Sequence, residues 1–429
     1  MYFTMSHAIM QSNHNIFSER MVIRMACANP VKVAFIGVGD ISGIYLYNIT
    51  TVFHELELVG VCDLIPERAE NGVKYVKELC EEHKLQKREP KIYKDMYEAF
   101  NDPEVEVILN ITRPYEHYEV TKQALLHGKH VYSEKPLGVD MAEATELVAL
   151  AEEKNLRLGG APDTFLGAGI QTCRKIIESG MIGDVIGANC AMVCRGHETW
   201  HHDPEFYYKR GGGPMLDMGP YYITALVQLL GEAKGVSAIT RRTFPQRVIT
   251  SSERCGDIID VDVDTYLTGS IEFSNGAIAQ VCTTFDVYYA PTAQAHFEVY
   301  GSEGTLVVPD PNCFGGPVLL LRPENSAANP SSDPGLLEHG MPNPYVGYKE
   351  IPLMFDYGVN SRCLGLADMC KALRTGREHR ANYKLQRHVL EIMTSFSRSS
   401  EEKRYIPLTT RYNPTKPMQH NPIHGTLDA

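Results

Sequence analysis

Short, dense apolar runs alternate with amphipathic stretches through the opening part of the chain. Val31–Ile36 is apolar almost throughout and stops at Gly37. Leu56–Cys62 is a second such run, ending in Asp63, and Val105–Ile111 and His130–Ser133 supply two more. Runs this short and uniformly apolar predict strands covered on both faces, as in a parallel sheet. Between the last two, Tyr118, Thr121 and Leu125 share one helical face and Gly128 marks a stop. Asp140 followed by Glu143 resembles a capping box, after which Ala144, Leu147, Val148 and Ala151 recur at helical spacing. Strands alternating with helices predict a doubly wound α/β unit.

From about Val185 the rhythm changes. Thr265–Phe273 and Ala277–Thr284 flank Asn275-Gly276, a strong hairpin signal, and His296–Tyr300 and Thr305–Val308 flank Ser302-Glu303-Gly304. Strand following strand predicts an antiparallel sheet in an α+β second domain. Pro309–Pro344, rich in Pro, Gly and Asn, reads as a long surface excursion, and Leu364–Leu373 and Tyr383–Phe396 read as helices. The expected organisation is a leader over 1–29, with Met21 and Met25 as alternative starts, an α/β domain over 30–160, an α+β domain over 161–408 and a tail over 409–429.

Composition narrows the function classes. A net charge of −12 argues against a nucleic-acid binder, which needs basic patches to neutralise phosphates. No apolar run reaches the roughly 18 residues that predict a membrane span. The 11 cysteines lack CxxC spacing, and the closest pair, Cys190 and Cys194, has too few neighbouring ligands for zinc. They read as reduced thiols of a cytoplasmic protein. The leader shows no signal-peptide pattern.

The candidate chemistry begins where the first strand runs into Gly37-Val38-Gly39-Asp40-Ile41-Ser42. Gly37 allows a tight turn, Gly39 lets backbone approach a pyrophosphate, and the following helix presents free amides to the anion. Asp63 closes the second strand slightly beyond the usual spacing of about 20. A carboxylate there accepts ribose hydroxyls and repels a 2′-phosphate, so NAD is favoured, with NADP as the alternative cofactor. Taken alone the glycines are also compatible with a ligand-free turn. Ser133-Glu134-Lys135-Pro136 ends the strand at His130–Ser133, where such sheets bind ligands. Lys135 there is placed to contact a substrate hydroxyl, its pKa falling beside a cationic nicotinamide; a solvated surface lysine is the plain alternative. Gly211-Gly212-Gly213 leads through Pro214 to Asp217 and Tyr221, four positions apart and on one face if helical. They suit hydroxyl binding and proton transfer, or simply a helix cap and core packing.

At these residues the sequence resembles the Gfo/Idh/MocA family of nicotinamide-dependent sugar and inositol dehydrogenases. The likeness is carried by Gly37-x-Gly39, Glu134-Lys135-Pro136, Gly211-Gly212-Gly213 with Asp217-Met218-Gly219, Tyr300-Gly301-Ser302-Glu303-Gly304-Thr305-Leu306, and Asp310-Pro311-Asn312-x-Phe314-Gly315-Gly316. Gly365-Leu366-Ala367-Asp368-Met369 and His388-Val389-Leu390-Glu391 are similar to the family's closing helices. The resemblance implies a Rossmann domain, a second domain on an open antiparallel sheet that makes homo-oligomer contacts, and a nicotinamide in the crevice between them. It implies that Lys135 contacts the reacting hydroxyl, that Glu134 approaches the nicotinamide ribose and that Asp217 positions the substrate. Gly37, Gly39, Asp40, Ile41, Asp63, Thr112, Arg113 and His117 complete the expected cofactor contacts, His117 either lining the crevice or capping the next helix. Many members carry histidine four residues after the aspartate as acid/base; here Tyr221 stands there, so Tyr221 takes that role, or Lys135 is the base.

In His197-Glu198-Thr199-Trp200-His201-His202-Asp203-Pro204 the spacing of His197 and His201 would suit a metal on a helix, but Pro204 argues for a loop, so no metal is expected. In similar proteins this loop approaches the substrate. Trp200 and His201 are therefore substrate candidates, Trp200 either stacking on a sugar or plugging an inter-domain gap. The expected activity is hydride transfer between NAD(P) and a secondary hydroxyl of a sugar, glycoside or cyclitol. A redox-neutral glycoside-cleaving enzyme that retains NAD, and a non-catalytic sensor, stay open.

Overall fold

A computed structural model describes residues 29–86, 89–251, 254–288, 296–325, 347–420 and 424–428. The leader up to residue 28, with Met21 and Met25, lies outside the described residues, as does the part of the expected excursion over 326–344.

The first domain is built on six parallel strands: β1 (Val31–Ile36), β2 (Leu56–Cys62), β3 (Lys91–Ile92), β4 (Val107–Asn110), β5 (His130–Ser133) and β6 (Leu158–Gly160). Their order is β3-β2-β1-β4-β5-β6, so the winding reverses between β1 and β4. Helices α1 (Ser42–Thr51), α2 (Pro66–Glu82), α3 (Met96–Asn101), α4 (His117–Leu126) and α5 (Met141–Glu153) connect the strands. β4 is buried along its whole length, which is why its sequence shows no polar alternation. The cap expected at Asp140 forms: its Oδ1 accepts the amides of Ala142 and Glu143, both at 3.0 Å. The Glu143 carboxylate reaches back one residue further than in a standard box, to the amide of Val139.

The second domain holds a nine-stranded sheet. After α6 (Ala168–Glu178) come β7 (Val185–Val193), the helices α7 (Gly213–Asp217) and α8 (Gly219–Leu230), then β8 (Ala233–Arg241). A small ribbon of β9 (Gln246–Val248) and β10 (Ile258–Asp260) stands apart. There follow β11 (Tyr266–Phe273), β12 (Ile278–Thr284), β13 (His296–Gly301), β14 (Gly304–Val307), β15 (Val318–Leu321) and β16 (Lys349–Ile351), and, after helices α9 (Leu364–Thr375) and α10 (Tyr383–Glu402), β17 (Ile406–Pro407). The order is β16-β15-β14-β13-β7-β12-β11-β8-β17. The expected antiparallel sheet forms with one parallel pair, β7 and β12. The chain returns to β7's flank only after β8 and β11 are laid down, and arrives travelling in β7's direction. The hairpin at Asn275-Gly276 forms as expected, with Gly276 at φ +90°.

Helix α10 packs on one face of this sheet; His388 accepts the Ala233 amide and Ser399 the Ala238 amide. The other face presents Ser237, Ile239, Thr268, Ser270, Ile278 and Gln280. The segment after β17 is packed rather than loose. Tyr412 accepts from Gln228, Met418 donates to Gln171, and Leu427 donates to Glu55 at the start of β2. No helix among the described residues is long and apolar enough to cross a membrane.

Candidate active site

At the end of β1 the chain turns through Gly37 at φ +99°, where a Cβ would lie 2.7 Å from the Ile111 carbonyl oxygen, so only glycine passes. At Gly39 nothing lies within 4 Å of the Cβ position, leaving the backbone open to a ligand. The α1 N-terminus follows directly, and Ile41 before it provides no side-chain cap. The Asp63 carboxylate accepts the amide of Val38 at 2.7 Å and that of Ile65 at 2.8 Å, tying the ends of β1 and β2 together. Open glycine backbone, uncapped helix amides and an acid at the neighbouring strand end fit the pyrophosphate and ribose of a dinucleotide. Asp40 and Ile41 are exposed in this loop.

The second group gathers at the end of β5. Glu134 is buried, accepting the Tyr45 hydroxyl at 2.5 Å and the Lys135 amide at 3.0 Å. Lys135 Nζ crosses to the second domain and donates to the Asp217 carboxylate at 2.8 Å and to its carbonyl at 2.7 Å. It also lies over the Tyr221 ring, 5.4 Å from the centroid. The expectation that Asp217 and Tyr221 share one helix face is corrected: α7 ends at Asp217 and α8 begins at Gly219. Pro220 brings no amide and its ring crowds the carbonyl four residues back. The Tyr221 amide bonds to the Met218 carbonyl, not to Asp217. The break therefore frees the Asp217 carbonyl for Lys135, and both predicted side chains still meet at the ammonium.

Charge follows geometry. Burial alone would lower the Lys135 pKa, but Asp217, Tyr221 and Glu134 outweigh it and raise it well above the ordinary lysine value. The fall expected beside a cationic nicotinamide belongs to the cofactor-bound site; in this arrangement Asp217, Tyr221 and Glu134 hold Lys135 as an ammonium. Burial pushes Tyr221 above 10, while Lys135 and Arg362 pull it back. Burial lifts the Asp163 carboxyl to about 6.

The remaining candidates fall around this core. Arg113 pairs with Asp203 at 2.8 Å, joining the β4 loop to the loop after β7. Thr112 donates to Asn110. His117 is buried, its ring nitrogens 3.0 Å from the carbonyls of Pro136 and Thr112, so it pins two loops together. Trp200 is 63% exposed, which rules out a gap-filling role in this structure. His197–Thr199 forms a 3-10 turn, as the loop reading requires. His201 and His202 stack on each other and lie 4.0 and 3.7 Å from Asp40, a three-group cluster spanning both domains. His201 Nδ1 accepts the Asp203 amide, which places the proton of the neutral ring on Nε2 and leaves that atom no lone pair for a metal.

Sequence reasoning missed Tyr45, Arg362 and Tyr207. Tyr45 hides in an apolar helical pattern. Arg362 sits in a loop without a motif, held where Asn48 donates to the carbonyls of Asn360 and Arg362. Tyr207 stacks on His197 with centroids 3.7 Å apart, a pairing no spacing rule reveals.

A Rossmann sheet whose switch-point crevice receives an aspartate from a second, sheet-based domain is the architecture of a two-domain oxidoreductase. Residues 31–160 match the profile described as an oxidoreductase family with an NAD-binding Rossmann fold, and residues 170–307 match the Gfo/Idh/MocA C-terminal domain. The chain belongs to the Gfo/Idh/MocA family. Its curated relatives include the D-xylose dehydrogenase of Paenarthrobacter nicotinovorans, 25% identical over 54% of this chain and 60% of that protein. The D-glucoside 3-dehydrogenase of Escherichia coli is 26% identical over 60% of this chain and 71% of that protein. The match spans about three fifths of the first of these. A levoglucosan dehydrogenase solved with NADH shares the fold, with a TM-score of 0.68 at 19% identity, over 89% of this chain and 100% of that one.

Proposed function

We propose that this protein is an NAD-dependent dehydrogenase acting on a secondary hydroxyl of a neutral sugar, glycoside or cyclitol, with NADP as the less favoured cofactor. The observation that carries this reading is the Lys135–Asp217 pair, held across the domain interface at the strand end beside the glycine loop. The nicotinamide, when bound, supplies the hydride acceptor or donor. Gly37, Gly39 and the α1 amides would hold its pyrophosphate, and Asp63 its adenosine ribose.

Lys135 donates to the substrate oxygen and favours its alkoxide form, which needs a fixed cation rather than a base. Asp217 accepts from a neighbouring hydroxyl and sets which carbon is presented. Tyr221 in its phenolate form would take the hydroxyl proton on oxidation and return it on reduction, and Lys135 across its ring and Arg362 favour that form against burial. Lys135 and Arg362 are matched by the carboxylates of Asp217 and Glu134, a balance that suits an uncharged substrate better than a uronate or a sugar phosphate. Trp200 and His201 offer aromatic surface at the mouth of the crevice. The far face of the nine-stranded sheet, with Ile239 and Ile278 exposed, supports assembly into a homo-oligomer, and the reduced, scattered cysteines support a cytoplasmic setting.

A screen of neutral sugars, methyl and aryl glycosides and cyclitols with NAD and NADP, read by absorbance of the reduced cofactor and of released phenol, tests the proposal. Reduction of NAD by at least one neutral polyol is the expected result. Aryl glycoside cleavage without net reduction would reassign the site to redox-neutral chemistry, and no response to any compound would overturn the enzyme reading.

A further inference from the structure

Asp217 has a second partner that motif reading does not supply. While Oδ1 and the carbonyl engage Lys135, Oδ2 lies 3.4 Å from Nε2 of His197, which arrives from the loop after β7. Building on the function proposed above, the geometry points to His197 as a positioning residue that holds Asp217 in its substrate-facing orientation.

Three features make His197 suited to this. Its ring is fixed: it stacks on Tyr207 at 3.7 Å and 16°, meets the Phe285 ring edge-on at 4.7 Å, and touches Trp200 at 5.2 Å. Its backbone is fixed by the next residue. Glu198 is buried, pairs with Arg247 at 2.9 Å, accepts the Tyr208 hydroxyl, and offers its carbonyl to the amides of Thr250 and Ser251. Arg247 in turn pairs with buried Asp286. A charge network buried this completely holds its loop in one arrangement, because moving any member strands another in a dry site.

The third feature is protonation. The charged and titratable groups facing His197 are Asp217, Glu198, Lys135, His201 and the stacked Tyr207; burial outweighs the carboxylates and holds the ring down to about 4. At neutral pH it is an uncharged imidazole. Its one proton belongs on Nε2, facing a carboxylate oxygen, since a lone pair there would be repelled. Nδ1 is buried with no hydrogen-bond partner in the structure. The neutral ring therefore turns an N–H dipole toward Asp217 at 3.4 Å, longer than a formed hydrogen bond, without adding a second cation beside Lys135. Without that N–H, the carboxylate loses the group facing Oδ2 and is free to turn further onto the ammonium. Lys135 would then be drawn away from the substrate hydroxyl.

Two variants separate donation from packing. His197→Phe keeps the ring stack and removes the N–H; His197→Gln keeps a donor near the Nε2 position and removes the stack. Crystal structures of both, with kinetics on methyl β-D-glucoside and NAD and with NADH titrations, form the test. Expected for His197→Phe are an Asp217 carboxylate rotated onto Lys135 and kcat/KM down by about tenfold or more, at unchanged NADH affinity. His197→Gln should leave Asp217 in place and kcat/KM within about threefold of the parent. A His197→Phe protein with Asp217 unmoved would overturn the assignment. So would a His197→Gln protein that loses the Asp217 orientation, and that variant decides alone if the phenylalanine variant does not fold. If the parent oxidises no sugar, the proposed function fails by itself, while the two structures still settle what His197 does to Asp217.

Discussion

Lys135 donates twice to Asp217, to the carboxylate at 2.8 Å and to the main-chain carbonyl at 2.7 Å. The second bond exists only because the helix carrying Asp217 stops there. An ammonium held at two points cannot swing, so its third hydrogen has one direction left for a ligand. Lys135→Met should lower kcat by about 10²-fold or more, the scale of losing one preorganised charge at a reacting oxygen. NADH affinity, measured by fluorescence titration, should stay within a few-fold, because the phosphate loop does not involve this residue.

Tyr221 presents a second test. Its hydroxyl is the only group that Tyr221→Phe removes, and its packing in the buried cluster is kept. Turnover should drop by about 10²-fold. Arg362→Met should act more subtly. Arg362 pulls the phenol's pKa down, so losing it raises that pKa, and the acid limb of the kcat profile should move to higher pH. A profile unchanged in Arg362→Met would disconnect the two residues.

The network beneath the substrate loop should be costly to break. Arg247 stands between the buried carboxylates of Glu198 and Asp286. Arg247→Met leaves Asp286 without its cation and Glu198 with Arg195 alone at 3.6 Å, and should destabilise the protein by about 3–5 kcal/mol, seen as a lowered midpoint in urea denaturation. Adding Glu198→Gln to Arg247→Met should recover part of that loss.

Acid sensitivity should arise from His197 within the site, held near 4 by burial, and from a residue outside it. His388 is fully buried, with Nε2 accepting the Ala233 amide at 3.1 Å and Nδ1 facing Thr410 Oγ1 at 2.8 Å. A proton on Nε2 would meet a donor, and burial holds the ring down to about 4. The unfolded chain takes up that proton near 6.5 and the folded one only near 4. The stabilisation is therefore complete above about pH 6.5 and is lost as pH falls through 4. His388→Gln should flatten the stability profile between those limits; an unaltered slope in denaturation at pH 7, 5.5 and 4.5 would exclude His388 as its source. His379, also held near 4 by burial, contributes a second slope over the same window.

The parallel sheet was legible because burial on both faces writes itself into sequence as unbroken apolar runs, as in β1 and β4. The glycine loop was legible because only glycine meets the steric demand at Gly37. The Lys135 and Asp217 motifs were visible, but not their contact, which joins residues on different domains. Pro220 was in plain view and its effect on the helix was still missed, since a four-residue spacing looks the same whether or not the helix is continuous. The upward pull on the Lys135 pKa was hidden for a related reason: it depends on how close Asp217 comes, and distance in space is not written in spacing along the chain. The parallel β7–β12 pair was hidden because each strand alternates as an antiparallel strand does.

The closing segment of the chain carries one more lesson. Leu427 and Gly425 bond to Glu55 and His54, ahead of β2, at the end of the parallel sheet opposite the one that bears Lys135. On the way there the chain lends the first domain α9 as well: the Gly365 amide donates to Asp163, and Arg374 pairs with Glu106. The nucleotide-binding half is thus completed by residues more than two hundred positions downstream. A chimaera that swaps substrate halves between relatives by cutting near residue 160 would leave that half without its floor. A workable graft keeps α9 and residues 424–428 with the first domain, while α10 and β17 between them stay with the sheet they cover and edge.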